Sequence, residues 1–204
     1  MTSCRTARMN PDENLQLVMT EAQSPDWNLR LLGVLPLLFF LAQLVHYWRI
    51  DELGHMLWMC NIGNLLLAIG MFLEQPRLIR LAAIWMFPGL VVWLVWVVFA
   101  WGVFFTSTLA HVGGLVLGIL ALRKVGMDPR SWVYAFGWYL IVQLLSRLVT
   151  APALNVNLAH RIQPGWEQHF GAYWQFWLTL TLVTALILWA VGWALHRIWP
   201  ERSP

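Results

Sequence analysis

Apolar residues gather into six runs along the chain, and polar or turn-forming stretches separate most of them. A helix needs about 20 mostly apolar residues to cross the hydrocarbon core of a bilayer. We therefore place transmembrane helices at residues 30–48, 54–73, 78–98, 103–122, 131–149 and 172–195. The break around FAWGVFF, between the third and fourth runs, carries no charge and is the weakest of the boundaries. The pattern predicts an all-α protein.

The predicted organisation is one domain. A six-helix transmembrane bundle occupies residues 30–198, after a polar segment at 1–29 and before a short tail at 199–204. Residues 1–28 mix acidic and basic side chains and lack the apolar core of a signal peptide, so the first span is expected to stay as an uncleaved anchor.

Composition supports a membrane location. Hydrophobic residues make up 59% of the chain and charged residues 11%, whereas soluble domains are about one quarter charged. We expect a multi-pass protein of the cell membrane whose partner is lipid. The net charge of +3 does not indicate nucleic-acid binding, because in membrane proteins the placement of Lys and Arg matters more than their sum. The two cysteines, Cys4 and Cys60, form no paired metal motif, and a disulfide between them is not expected.

The distribution of basic residues predicts the orientation. Ten Lys and Arg residues fall in the two terminal segments and the second and fourth connections, and two fall on the other side. Arg147 is counted apart because it lies within a predicted span. Since basic residues concentrate in cytoplasmic loops, both termini are predicted to be cytoplasmic.

With this orientation, polar residues from four segments fall in one layer in the outer half of the membrane. Cys60 lies about 9 Å below the outer boundary, from a rise of about 1.5 Å per residue, and His111 lies at a similar depth. Arg147 comes near the outer end of its span. The other members of this layer are Asn61, Asn64, Ser107, Gln143, Asn155, Asn157 and His160. Polar stripes facing lipid are costly, so we predict that these residues face one another around a pocket open to the outer leaflet.

This set of residues fits acyl transfer or hydrolysis on a lipid. A histidine can take the proton of a thiol, so Cys60 and His111 are the predicted catalytic pair. Asn61 and Asn64 are expected to donate amide hydrogens to the oxyanion, and Arg147 to hold a phosphate or carboxylate. The remaining polar residues of the layer are predicted to bind substrate. The prediction includes no cofactor and no metal.

Other interpretations remain open at this point. A cysteine in an apolar helix often packs as a small hydrophobe, and His111 alone suits a helix–helix hydrogen bond. Zinc chemistry is an alternative because Ser107 and His111 match one element of the ceramidase-like membrane hydrolases, although no aspartate lies within a span. A bundle that binds or transports a lipid or small molecule without chemistry is the main alternative. The oligomeric state does not follow from the sequence.

Short motifs carry a resemblance to a known family. Cys60 with Asn61, followed by Ala110 and His111, the Asn-x-Asn segment and the aromatic AYWQFW stretch, resembles the YwaF-like bacterial membrane proteins. Their animal relative is the acyltransferase-like transmembrane protein 164, and the androgen-induced-protein lipid hydrolases are similar at a greater distance. The resemblance covers about residues 30–195. It implies a six-helix fold and a catalytic role for Cys60 and His111.

Overall fold

The computed structural model of the chain describes residues 26–100 and 104–201, and every regular element within them is helical. The predicted all-α class is confirmed for these residues. The α-helices are α1 (Trp27–Leu32), α2 (Val34–Arg49), α3 (Met59–Phe72), α4 (Pro76–Ala100), α5 (Phe105–Thr108), α6 (Gly114–Val125), α7 (Ser131–Val149) and α8 (Tyr173–Ile198). A π-helical turn (Leu109–Gly113) joins α5 to α6, and 3₁₀ turns occur at Leu53–Leu57, Val156–Leu158 and Glu167–His169. The predicted segment 1–29 falls mostly outside the described residues, as do Cys4 and residues 202–204.

Within residues 26–100 and 104–201, five helical stretches are long and apolar enough to cross a membrane. These are Trp27–Arg49, Pro76–Phe99, Phe105–Val125, Ser131–Val149 and Tyr173–Ile198. They indicate a multi-pass membrane protein. Helix α3 is also apolar, but its 14 residues extend only about 21 Å, which is less than a hydrocarbon core.

The predicted span at 54–73 is divided rather than continuous. A 3₁₀ turn ends at Leu57, Trp58 is extended (φ −55°, ψ 136°), and α3 begins at Met59. Side-chain amides bond to carbonyl groups at this break. Asn61 Nδ2 donates to the His55 carbonyl at 3.0 Å, and Asn157 Nδ2 donates to the Leu57 carbonyl at 2.7 Å. These amides make the break possible in an apolar setting, where an unpaired carbonyl is costly.

The third span begins earlier than the predicted residue 78. Pro76 starts α4, which suits the first helical position because proline has no amide hydrogen to leave unpaired. Arg80 was counted with the second connection for the orientation, although it falls within the predicted span; it lies inside the helix and is only 5% exposed. Its guanidinium donates to the carbonyl groups of Val125 and Gly126, at the end of α6. Pro88 lies within this helix, which continues past it.

Ion pairs bring the first and last described residues to the same end of the bundle. Asp26, before α1, accepts from Lys124 Nζ at 2.7 Å. Hydrogen bonding to Lys124 lowers the pKa of Asp26 below its usual value. Arg80 bonds to Glu201 at 2.6 Å. The other end of the bundle carries the break before α3 and the loop after α7, which are joined by Asn157.

The core lies around α3 and α4. Trp85 and Leu67 are fully buried, and the indole of Trp85 donates to the Ala135 carbonyl of α7 at 3.0 Å. The outward faces of α7 and α8 expose many large apolar side chains, such as Leu148 and Leu182. Lipid would cover such faces in a membrane.

Candidate functional site

A cavity of about 590 Å³ lies between α2, α4 and α8, with the break before α3 at one side. Apolar and aromatic side chains form most of its wall, including Trp85, Trp93 and Leu188. The α4 residues Val92 and Trp96 line it and are also exposed on the outside of the bundle. The cavity therefore has a lateral opening on the face that lipid would cover.

Four of the predicted site residues line this cavity, and six do not. The lining members are Cys60, Ser107, His111 and Asn157. The other six are absent from the wall: Asn61, Asn64, Gln143, Arg147, Asn155 and His160. The predicted polar layer thus separates into a cavity wall and a hydrogen-bonded framework beside it.

His111 is held in one tautomer. Its Nδ1 lies 2.8 Å from the Ser107 carbonyl oxygen, and since a carbonyl only accepts, Nδ1 carries the hydrogen. The ring stacks on Trp93 with centroids 5.2 Å apart, and Trp93 Nε1 donates to Ser107 Oγ at 2.8 Å. Within the described residues, Nε2 of His111 makes no hydrogen bond. The imidazole therefore keeps a lone pair available for a proton.

The π-helical turn explains how His111 and α3 are connected. The Gly114 amide bonds to Leu109 and His111 carbonyls, not to Ala110, so the Ala110 carbonyl is released from the helix. Asn64 Nδ2 donates to that carbonyl at 2.9 Å and to the Cys60 carbonyl at the same distance. One amide thus joins the turn that carries His111 to the first turn of α3. Turns of this kind are frequent at functional sites.

Asn64, expected to donate to an oxyanion, is engaged elsewhere in this structure. Both hydrogens of its amide are already engaged, and the side chain is fully buried. The buried carbonyl oxygens of Asn61, Asn64 and Gln143 lack a hydrogen-bond partner within the described residues. What Asn64 and Gln143 offer beyond the framework is an acceptor, because both amide hydrogens of each are engaged, and an oxyanion needs donors.

Cys60 lies in the first turn of α3 and lines the cavity. A Cβ placed on Gly89 would be 3.7 Å from the Cys60 Cβ, so α4 passes close to the cysteine. Cys60 is a free thiol, and its sulfur makes no hydrogen bond to His111 or to another described residue. The two predicted catalytic residues therefore share a cavity without being in direct hydrogen-bond contact.

Asn157 connects the loop after α7 to the break before α3. Its Nδ2 donates to Ser146 Oγ at 2.9 Å as well as to the Leu57 carbonyl, and its Oδ1 lies 3.4 Å from the Met59 amide. Asn157 has a positive φ of 52°, a conformation that asparagine tolerates better than most residues. Gln143 supports the same loop by donating to the Asn157 carbonyl at 2.8 Å.

Asn155 and His160 hold the rest of that loop. Asn155 Oδ1 accepts from the amides of His160 and Arg161, which closes a tight turn. His160 Nε2 lies 3.0 Å from Thr150 Oγ1 and 3.2 Å from the Ser146 carbonyl. These groups satisfy one another, so their evident role is to fix the loop against α7.

Arg147 is also part of this framework. Its guanidinium donates to the Ala159 carbonyl at 2.7 Å and lies 5.1 Å from the ring centre of Tyr173. The Tyr173 hydroxyl donates to the same carbonyl at 2.6 Å. The expected contact between Arg147 and a ligand in the cavity has no basis in this arrangement, since Arg147 does not line it.

The sequence prediction omitted polar residues at the cavity mouth. Gln43, His46 and Tyr47 line the cavity from α2, and their spacing of three and four residues is the signal that could have identified them. Glu52 and His55 line it from the break before α3.

His55 occupies a defined hydrogen-bonding position. Trp58 Nε1 donates to its Nδ1 at 2.9 Å, so Nε2 carries the hydrogen and faces Glu52 Oε2 at 3.2 Å.

No group of three or more His, Cys, Asp or Glu side chains among the described residues is placed to hold a metal ion. Comparison with protein-family models, with curated proteins and with solved structures gave no match. The resemblance to the YwaF-like proteins accordingly stays a prediction.

Proposed function

We propose that the chain is a six-span membrane protein, with both termini cytoplasmic, that transfers or hydrolyses an acyl group of a lipid. The observation that carries the proposal is that Cys60 and His111 line one laterally open cavity and His111 has an unpaired Nε2. The resemblance to the YwaF-like proteins is part of the same proposal.

Two contacts support a sixth crossing by α3 together with its 3₁₀ turn. Asn157 binds the beginning of this unit, and Arg30 pairs with Glu74 just after it at 2.6 Å. Residues Leu53–Phe72 add up to about 30 Å, from about 2.0 Å per 3₁₀ residue and 1.5 Å per α-helical residue. Reporter fusions after residues 127 and 163 test this topology. They should report opposite sides, and a common side would contradict it.

In the proposed reaction, the Cys60 thiol gives its proton to His111 Nε2, and the sulfur bonds to the carbonyl carbon of a lipid ester. Collapse of the tetrahedral intermediate breaks the ester C–O bond, and the leaving alkoxide takes the proton from the imidazolium. Water or the hydroxyl of an acceptor then attacks the thioester carbonyl and gives its proton to His111; the C–S bond breaks, and the departing Cys60 thiolate takes that proton back. Because the thiol and the imidazole are not hydrogen-bonded, a side-chain rotation must bring them together when the ester binds.

The test is the detection of an acyl group on Cys60. Protein with Cys4→Ser, which leaves Cys60 as its remaining cysteine, is incubated in nanodiscs with a phospholipid ester and analysed by intact mass spectrometry. We expect an adduct that hydroxylamine removes, that is lost in Cys60→Ala, and that forms about 100-fold more slowly in His111→Gln.

His169→Gln is the matched control, because His169 is exposed and lies outside the cavity. It should acylate at the rate of the parent protein. Acylation at an unchanged rate in His111→Gln would identify Cys60 as an ordinary accessible thiol and remove the proposed pair.

A non-catalytic lipid-binding bundle is the second candidate. The observation that favours it is the missing hydrogen bond between Cys60 and His111. For such a protein the adduct would not form, and Cys60→Ala would leave lipid binding unchanged.

A further inference from the structure

The mouth of the cavity has a distinctive charge. Glu52 is the one carboxylate among its described lining residues, and none of these residues is Lys or Arg. Glu52 Oε2 faces His55, whereas Oε1 makes no hydrogen bond within the described part of the chain, and the side chain is 44% exposed. The local field therefore favours a cation.

Aromatic rings surround the same region. The side chains of Tyr47, Trp58, Trp93, Trp96 and Phe104 all line the cavity. The faces of tryptophan and tyrosine rings attract ammonium groups, and a wall of several such rings is the usual site for alkylammonium ligands. A carboxylate beside these rings adds a direct ion pair.

The rest of the cavity suits a hydrocarbon chain. Trp85 and Trp96 are separated by about 16 Å along the axis of α4 and both line it. The opposite wall is formed by α8 through Leu180, Val183 and Leu188. A ligand that fits both parts has an ammonium group at one end and an acyl chain at the other.

We infer that the cavity binds a membrane phospholipid with an ammonium headgroup, with its nitrogen at Glu52 and the aromatic rings and an acyl chain between α4 and α8. The inference rests on the proposed function only in assigning lipid to this cavity, and it names the substrate class. Arg147 was expected to hold a phosphate or carboxylate of the ligand. Its guanidinium is instead bound to the Ala159 carbonyl, so the inferred contact in the cavity is with an ammonium group.

Photolabelling of the full chain tests this inference. Trace diazirine-tailed phosphatidylcholine, phosphatidylethanolamine and phosphatidylglycerol, identical in their tails, are each added to nanodiscs of 1:1 phosphatidylcholine and phosphatidylglycerol. Mass spectrometry then measures labelling of peptides from α4 and α8 that contain cavity residues. We expect one or both ammonium lipids to label these peptides about fivefold more than phosphatidylglycerol, and Glu52→Gln to abolish the preference.

Glu167→Gln is the matched control, because Glu167 is an exposed carboxylate outside the cavity and should leave the preference unchanged. Equal labelling by all three lipids, stronger labelling by phosphatidylglycerol, or a preference that survives Glu52→Gln would overturn the inference.

The same experiment on Cys60→Ala separates this inference from the proposed reaction. If the cysteine is never acylated while the ammonium preference persists in wild type and Cys60→Ala, the reaction fails and the binding site stands. If Cys60 is acylated equally from all three lipids and no preference is found, the reaction stands and the headgroup assignment fails.

Discussion

Asn157 joins the loop after α7 to the cavity wall, and its substitution tests how much this link contributes to the free energy of unfolding. Its side chain bonds to the Leu57 carbonyl, to Ser146 Oγ and, at a longer distance, to the Met59 amide. Substitution with glycine removes all three bonds but keeps a residue that accepts a positive φ. Substitution with alanine removes the same bonds and adds the cost of a left-handed conformation.

The expected loss of stability follows from these contacts. Losing two short hydrogen bonds and leaving a carbonyl unpaired should lower the free energy of unfolding by about 2–3 kcal/mol in Asn157→Gly. Asn157→Ala should lose about 1 kcal/mol more, because an L-residue in the left-handed region costs about that amount. The unfolding midpoint should therefore fall by about 6–9 °C in Asn157→Gly and by a few degrees more in Asn157→Ala.

Thermal unfolding in detergent checks the prediction, with Asn28→Ala as the control. Asn28 is exposed on α1 and makes no side-chain hydrogen bond to any described residue, so its variant should stay within about 0.5 kcal/mol of wild type. In a Cys4→Ser background, the rate of maleimide addition to Cys60 should also rise in both Asn157 variants, since Met59 and Cys60 begin α3. Variants that match Asn28→Ala in both assays would show that Asn157 does not secure the cavity wall.

Two further predictions concern the π-helical turn and the cavity mouth. A methyl group on Gly114 would lie 2.6 Å from Asn64 Oδ1, so Gly114→Ala should overpack this site, cost about 1–3 kcal/mol and lower the unfolding midpoint. Gly137 has open space around it, so Gly137→Ala should be neutral or stabilising. Equal unfolding midpoints for the two variants would refute the crowding at Gly114. His55 accepts a hydrogen bond from Trp58 Nε1 at its Nδ1, and a ring protonated on both nitrogens loses this acceptor, so stability should fall relative to His55→Gln as pH drops below about 6.5. Unfolding scans that keep the same difference between the two proteins from about pH 8 to about pH 5 would contradict this assignment.

The helical class and most span positions could be predicted because they depend on length and hydrophobicity. The break at Trp58 could not, since it is stabilised by Asn157 from about 100 residues further along the chain. The position of Arg80 was misjudged for the same reason. An arginine in a polar stretch reads as a loop residue, but here carbonyl groups at the end of α6 and the carboxylate of Glu201 make its burial favourable.

Depth along a helix follows from counting residues, whereas direction around its axis depends on packing. The prediction therefore placed ten polar residues in one layer but did not distinguish those that line a cavity from those that bond to the backbone. Asn64 illustrates the difference, because both hydrogens of its amide hold carbonyls that the π-helical turn and α3 leave available. A π-helical turn depends on one shifted backbone bond at Gly114, and hydrophobic periodicity carries no sign of it.

The framework and the cavity depend on each other, and this relation argues for a functional cavity. An apolar bundle has no need of a break before α3, a left-handed loop at Asn157 or a released carbonyl at Ala110, since each requires a buried amide to satisfy it. The break places Glu52 and His55 at the cavity mouth, and the π-helical turn carries His111 into the cavity wall. Locally unfavourable features of this kind usually persist in proteins at functional sites. The polar residues outside the cavity are therefore best understood as the structure that positions those within it.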